Sequence, residues 1–513
     1  MSSIMQSQYY QAPIRSPVRR RGPLALLLLV SVLVLFFSLL EFSQSDSALR
    51  GATLAPSIVG LLWLGCYLSA STLAFGTPYL FASAYVLCLF VFHFGLLVQD
   101  GFGLTRVLDW AGPIGPWAVR AGWVTNFALG CFGVGFAAYT LRYRPRRAQS
   151  TLASEVVTAQ NLSWLWNQGV GLLIASLVLL ALAIATQGNI FALTRLKLFF
   201  LSDTRFISVF SMMIPSAAIA LVIAAESPRQ RLVAYSVAVL TLAFFLLAGQ
   251  RSAALFPLLT GVVLWAKVGR RINPMMAGAV LLGSLLVIPI VGYLRTIGTY
   301  GQITNANAIS EAAQYADIGA AFGEMGGSIG ALMYTLMIIP EDEPYRYGRT
   351  YLKYLMDVVP NVGLNPDEST SRAAAAEKLS SGPAKEALLD MEPGDWASFH
   401  IIREQFQSGG GAGFSGVAEP YFNFGLPGVF VFFIALGVLL GRFDCVAVVY
   451  SERWLLFAAV IYWHLLPTVR NGLAIFLKPG VFTLIVLFAW KLVRRFVPLP
   501  LIAGGVRPRT LRR

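Results

Sequence analysis

Long apolar runs separated by short polar stretches dominate this chain. A hydrocarbon core about 30 Å thick needs about 20 apolar residues in helical form. That ruler predicts twelve spans, near 23–40, 54–75, 78–99, 122–141, 165–186, 206–225, 231–249, 252–268, 275–294, 423–441, 454–469 and 474–493. The pairs 54–99 and 231–268 have very short connections, so the span count is open to error at each. The stretch 295–420 breaks the rhythm, and a connection of that length without a full span points to function. Within it, "GGSIGALMYTLMIIP" (326–340) is apolar but short and Gly-rich, the pattern of a re-entrant or interfacial helix. Residues 369–392 are polar and helix-prone, and "GGGAG" (409–413) marks a hinge or a close backbone approach to a ligand.

Composition sharpens this picture. Of 513 residues, 57% are hydrophobic and 12% charged, about half the charged share of a soluble domain. A soluble enzyme, a disordered chain and a secreted disulfide scaffold are excluded. Four cysteines, three within apolar runs and Cys445 in a short polar stretch, predict no disulfide and no zinc site. Three histidines do not suggest a metal centre, and neither metal nor cofactor is expected.

The net charge of +14 sorts by side. Arg15, Arg19, Arg20 and Arg21 precede the first span, which reads as a retained signal anchor with the N-terminus inside. With twelve alternating spans, the inside segments hold Arg142, Arg144, Arg146, Arg147, Arg229, Arg231, Lys267, Arg270, Arg271, Arg442 and Arg453. The tail adds Arg494, Arg495, Arg507, Arg509, Arg512 and Arg513. The outer loop near 187–205, with Arg195, Lys197 and Arg205, is the exception. Topology and anionic lipid account for the excess, so no nucleic-acid partner is expected. The predicted organisation is a basic cytoplasmic tail (1–22), nine spans (23–294), a long periplasmic loop (295–420), three spans (421–493) and a basic cytoplasmic tail (494–513). The fold class is an all-α polytopic membrane protein of about 12 transmembrane helices.

Candidate chemistry lies at the outer ends of the spans. Arg251, Arg295 and Arg470 sit where the positive-inside tendency disfavours arginine, and a charge within a span costs about 2.5–3.5 kcal/mol on insertion scales. Together they would form a cationic site for phosphate oxygens, which the guanidinium fork grips with two parallel bonds. Singly, each is as well explained by snorkelling or helix capping. Glu324 and Glu419 flank apolar segments on the same side, as general bases or as ion-pair partners of the arginines. His400 is the one histidine of the long loop, a residue type that can serve as a base at physiological pH, although a loop histidine is more often incidental. Glu341, Asp342 and Glu343 in "PEDEP" read as solvated. No P-loop, G-x-S-x-G elbow or H-E-x-x-H is present, and no cytoplasmic loop is long enough for a nucleotide-sugar domain. A transferase would therefore take its donor from a lipid carrier.

Three stretches carry a family resemblance. "GAGFSGVAEPYFNFGLPGVFVFFIALGVLLGRF" (411–443) resembles the pattern of bacterial oligosaccharide repeat-unit polymerases, the Wzy-type O-antigen polymerases, in which a Gly-Ser loop leads to Glu, Asn-Phe-Gly and a Gly-spaced helix. "AGQRSA" (248–253) is similar to their Gly-x-Arg turn, and "IIPEDEPYRYGRTYLKYLMDVVPN" (338–361) to the start of their long outer loop. The resemblance implies a GT-C-like membrane glycosyltransferase plan in the bacterial inner membrane. It implies joining of glycan units carried on undecaprenyl pyrophosphate at the outer face, with a chain-length regulator and a flippase as partners beside membrane lipids. Arg251, Arg295 and Arg470 would then bind pyrophosphate. Glu419, Glu324 or His400 would handle the acceptor proton. Tyr345, Tyr347, Tyr421 and Asn423 would face the glycan, although each tyrosine taken singly is better explained as an interfacial belt residue. Two alternatives stand beside it. An O-antigen ligase shares the plan and the donor but passes the glycan to another acceptor. A transporter or flippase for a lipid-linked glycan would place charge at mid-membrane depth, where spans one to six have almost none.

Overall fold

A computed structural model describes residues 20–44, 52–105, 114–143, 159–187, 213–247, 251–268, 318–358, 391–403, 411–446 and 452–496, with isolated positions between 272 and 314. The described residues are helical and contain no strand. In chain order the helices are α1 (Gly22–Gln44), α2 (Leu54–Phe75), α3 (Phe81–Gly101), α4 (Trp117–Arg142), α5 (Ala159–Gln187), α6 (Met213–Ala224), α7 (Pro228–Leu247) and α8 (Arg251–Lys267). They continue with α9 (Ile318–Gly326), α10 (Ser328–Ile338), α11 (Arg349–Val358), α12 (Pro393–Ile401), α13 (Ala418–Val446), α14 (Glu452–Leu465), α15 (Thr468–Asn471) and α16 (Ala474–Phe496).

Among the described residues, six helices are long and apolar enough to cross a membrane: α1, α2, α3, α4, α7 and α13. Shorter apolar helical stretches lie in α5, α6, α8 and α16. The span expected near 275–294 lies outside the described residues. Both short connections separate two helices. Between α2 and α3 the chain turns at Gly76, whose φ of 72° is open to glycine and disfavoured for other residues.

The core is built on α4, which packs against α1 on one side and α13 on the other. Small residues allow that approach. A side chain at Gly135 would collide with the Ile434 carbonyl, and one at Gly437 with the Phe132 carbonyl. In lipid, where no hydrophobic force draws helices together, close backbone contact of this kind holds them. A second group joins α5, α6, α8, α14 and α16.

The apolar stretch at 326–340 forms the 11-residue α10, too short to span. It packs against α3, α4, α12 and α13, with Ile329, Leu332 and Met333 fully buried. Cys445, read as lying in a polar stretch, is instead buried in the core, and all four cysteines are free thiols.

Buried polar groups fasten the two ends of this helix body. At one end Asp444 accepts the Phe81 and Ala82 backbone N–H groups at 2.9 and 3.0 Å, and Lys267 Nζ lies 3.0 Å from its Oδ1. The Tyr462 hydroxyl donates to the Phe81 carbonyl beside it. The start of α3 and the ends of α8 and α13 thus meet at one carboxylate. The start of α13 lies at the other end, with the residues considered next.

Candidate functional site

The helical stretch Ala418–Val446 is broken at Gly425, whose φ of 66° and ψ of −155° set its first two turns apart from the long apolar segment. Pro427 follows and restarts the helix, a position where a missing N–H costs nothing. The offset turns carry Glu419, Tyr421 and Asn423.

Ser415 fixes where α13 begins. Its hydroxyl accepts the Ala418 N–H at 3.0 Å, and it lies 2.7 Å from His93 Nε2. His93 Nδ1 is 3.0 Å from the Leu89 carbonyl, an oxygen that can only accept, so Nδ1 carries the proton and Nε2 receives the Ser415 hydroxyl. His93 therefore serves as a buried brace between α3 and α13.

Glu419 is almost fully buried. Its Oε2 accepts the Leu473 N–H at 2.7 Å, just past the break between α15 and α16. Gly472 lies against the carboxylate with φ 74°, and a Cβ there would sit 2.6 Å from Oε2. Tyr354 of α11 turns its hydroxyl toward the same carboxylate; burial, then the Glu419 charge, keep that phenol protonated far above its ordinary range.

Arg470 closes the group from α15. Its carbonyl accepts the Phe414 N–H at 2.8 Å, and the backbone of the Gly-rich loop runs beside its guanidinium at Gly413. The structure thus sets Glu419 against the 467–473 break that carries Arg470, with the loop 411–417 beside both. It also stitches the "YRYGR" segment to them. The Arg346 and Tyr347 N–H groups donate to the Phe422 and Asn423 carbonyls at 3.1 and 3.0 Å.

Asn423, expected against glycan, is fully buried and occupied in this stitch. Its Oδ1 accepts the Gly348 N–H at 3.0 Å, and its Nδ2 donates to Thr350 Oγ1 at 2.7 Å and to the Glu419 carbonyl at 2.9 Å. Tyr345, Tyr347 and Tyr421 do gather, with ring centroids 6.2 and 6.3 Å apart around Tyr345, and Tyr347 stands 72% exposed. Arg251 is the first residue of α8, and Arg295 lies outside the described residues. Glu324 is exposed on α9, which packs on α3 at Gly95 and Leu96.

His400 lies on α12, half-buried, its ring 4.7 Å from that of Trp396. Its partner corrects the solvated reading for one residue of "PEDEP": Glu343 is buried, while Glu341 and Asp342 are exposed as expected. Glu343 Oε2 accepts Arg346 Nη2 at 2.6 Å and Trp396 Nε1 at 3.0 Å, and His400 Nε2 lies 3.5 Å from Oε1. The Arg346 guanidinium stacks 4.8 Å over the Phe422 ring. Three charges in a row read as a solvated run, and nothing local announces a tryptophan partner 53 positions away. The regular spacing of Arg346 and Glu343 was the one available signal, and a pair three apart is common on exposed turns as well.

Among the described residues, no group of three or more His, Cys, Asp or Glu could hold a metal ion. The arrangement offers one buried carboxylate, held by the break that carries an arginine, and a group of tyrosine rings. That chemistry suits proton transfer beside an anionic leaving group. No curated protein and no solved structure matches the chain. A model of the family described as O-antigen polysaccharide polymerase Wzy matches residues 25–497. That match runs from the first turn of α1 to past the end of α16, including the turns that carry Glu419 and Arg470. The multi-pass helical chain thus belongs to the O-antigen polysaccharide polymerase Wzy family.

Proposed function

We propose that this polymerase joins oligosaccharide repeat units carried on undecaprenyl pyrophosphate, at the outer face of the bacterial inner membrane. The observation that supports this reading best is the buried Glu419 carboxylate, held by the Leu473 N–H in the turn that also carries Arg470. In the proposed reaction an acceptor sugar hydroxyl attacks the anomeric carbon of the donor glycan. The bond from that carbon to the pyrophosphate oxygen breaks, and undecaprenyl pyrophosphate leaves with the electron pair. Glu419 takes the hydroxyl proton. Arg470, with Arg251 and Arg295, neutralises the charge growing on the leaving group, where donors placed in advance act most strongly. Tyr345, Tyr347 and Tyr421 present ring faces to the sugars, and Asn423 holds the Tyr347 turn in place rather than touching glycan. His400, oriented by Glu343, is the second candidate for the proton, and Glu324 the third. A flippase that delivers the lipid-linked unit and a chain-length regulator are the partners this chemistry calls for.

The test is surface-glycan length in the source bacterium with the gene deleted, then restored as wild type, Glu419→Gln or Arg251→Lys. Deletion should remove long chains while single repeat units still reach the surface. Glu419→Gln keeps an acceptor for the Leu473 N–H and removes the base, and should lower the polymerisation rate by about 10²–10⁴-fold. Arg251→Lys keeps its charge and loses the planar fork, so it should also shorten chains. Normal chain length from Glu419→Gln at normal protein level would remove Glu419 from the mechanism. Loss of all surface glycan on deletion would point to a ligase or flippase, and polymer accumulated on the lipid carrier would single out the ligase.

A further inference from the structure

The ten-residue helix α11 has three faces. At 100° per residue, Thr350 and Tyr354 fall on one side, with Tyr351 at its edge. This side is turned inward, with Thr350 and Tyr354 buried. It holds Asn423 through Thr350 and faces Glu419 through Tyr354. Leu352, Leu355 and Met356 form a second side, and they are 54, 59 and 62% exposed. Arg349 and Lys353, one turn apart, form a third, flanking the apolar side along its length.

The height of α11 is fixed by its neighbours. It starts just after Gly348, whose N–H is held by Asn423 in the first turns of α13, at the end of a span. Phe424, 44% exposed, packs beside Gly348 and continues the apolar side toward α13. The helix rests along α16, which contains a further apolar stretch, Gly480–Leu492. An exposed leucine and methionine face at this level, edged by two cations, has the composition of a helix lying in the polar–apolar boundary of a bilayer.

We infer that α11 is a membrane-surface anchor that seats Leu352, Leu355 and Met356 among lipid chains and Arg349 and Lys353 against lipid phosphates. The occupant of this face is the bilayer itself. Because the opposite face holds Tyr354 and Thr350 against Glu419 and Asn423, seating in the membrane also sets the geometry around the buried carboxylate. The placement of α11 does not depend on the catalytic role assigned to Glu419.

Spin labels test this in proteoliposomes, at Leu352→Cys, Leu355→Cys and Met356→Cys, with Asp342→Cys as an exposed comparison and the unsubstituted protein as the labelling blank. These positions are exposed, so the substitutions leave the packing unchanged. The three α11 labels should be relaxed strongly by oxygen, which concentrates in lipid, and weakly by a water-soluble nickel chelate. The Asp342 label should show the reverse. In phosphatidylcholine vesicles, adding phosphatidylglycerol should deepen the Leu355 label. Reversing Arg349 and Lys353 to Glu should abolish that response, at about fivefold in embedded population per charge. Nickel-dominated relaxation at all three positions would overturn the inference. Label–label broadening that disappears on dilution with unlabelled protein would also overturn it, by assigning the face to a second copy of the chain. Depth confirmed alongside unchanged activity of Glu419→Gln would keep the anchor and reject only the catalytic assignment.

Discussion

Glu343 is the residue whose environment differs most from its sequence context. Burial alone would push its carboxyl upward, but His400, the Arg346 charge and the Trp396 indole outweigh that and hold it below its ordinary value of 4.5. The sign of the linkage follows. A group whose folded pKa lies below its unfolded one stabilises the fold above the unfolded value, and that contribution is lost as pH falls through the folded value. The Glu343 contribution is therefore complete at neutral pH and disappears below 4.5. Hydrogen exchange in detergent should show residues 343–350 and 393–401 well protected at neutral pH and opening in acid. In Glu343→Gln the same segments should lose that dependence on pH. Equal acid opening in the variant and the wild type would show that another group controls this corner. Glu343→Ala is the harsher change, because it leaves Arg346 buried against Phe422 without its carboxylate, a loss of about 3–5 kcal/mol for a broken buried pair.

At the scale of elements, the apolar runs made most helices legible, since a span must satisfy its own backbone and needs a fixed apolar length. The breaks were less legible. Gly425 and Pro427 are visible in the sequence, but only the fold shows that the turns before them stand apart and hold Glu419. The candidate site was legible where a charge was unusual for its place, as with Glu419 and Arg470. It was not legible where the meaning of a residue came from a distant partner, as with Glu343 and Trp396 or His93 and Ser415. Asp444 belongs to this second kind. It joins the start of α3 to the ends of α8 and α13, and it is fully buried against the largely buried side chain of Lys267. Asp444→Ala should destabilise the protein by about 3–5 kcal/mol, because Lys267 then stays buried opposite two unsatisfied N–H groups. Lys267→Met in the same background should restore part of that loss. A double-mutant cycle read by thermal unfolding in detergent measures the coupling. Additive losses would mean that the pair does not act as a unit.

For the whole molecule, the two polar clusters give the helix body a direction. Glu419 begins α13 and Asp444 ends it, 25 residues later. The unbroken helix past the Gly425 break, from Leu426 to Asp444, rises about 27 Å, close to the thickness of the hydrocarbon core. The other helices agree: α3 starts and α8 ends at Asp444, while Ser415 meets α3 further along at His93. Lys267 and Arg442 lie at the Asp444 end, which the positive-inside tendency assigns to the cytoplasm. On that assignment Glu419, Arg470 and Tyr347 would face outward. Single cysteines at Tyr347 and Arg442, both exposed in the fold, can test this with a membrane-impermeant maleimide. Cys66 and Cys88 are half-buried, so the unsubstituted protein serves as the blank. Tyr347→Cys should react in intact spheroplasts, and Arg442→Cys only after lysis. The opposite pattern would place the Glu419 end in the cytoplasm. A glycan carrier at the outer face could not reach it there, and the proposed reaction would fail on topology, whatever its chemistry. Reaction of both from outside would mean that α13 does not separate its two clusters across the bilayer, and that the match between charge bias and fold is coincidental.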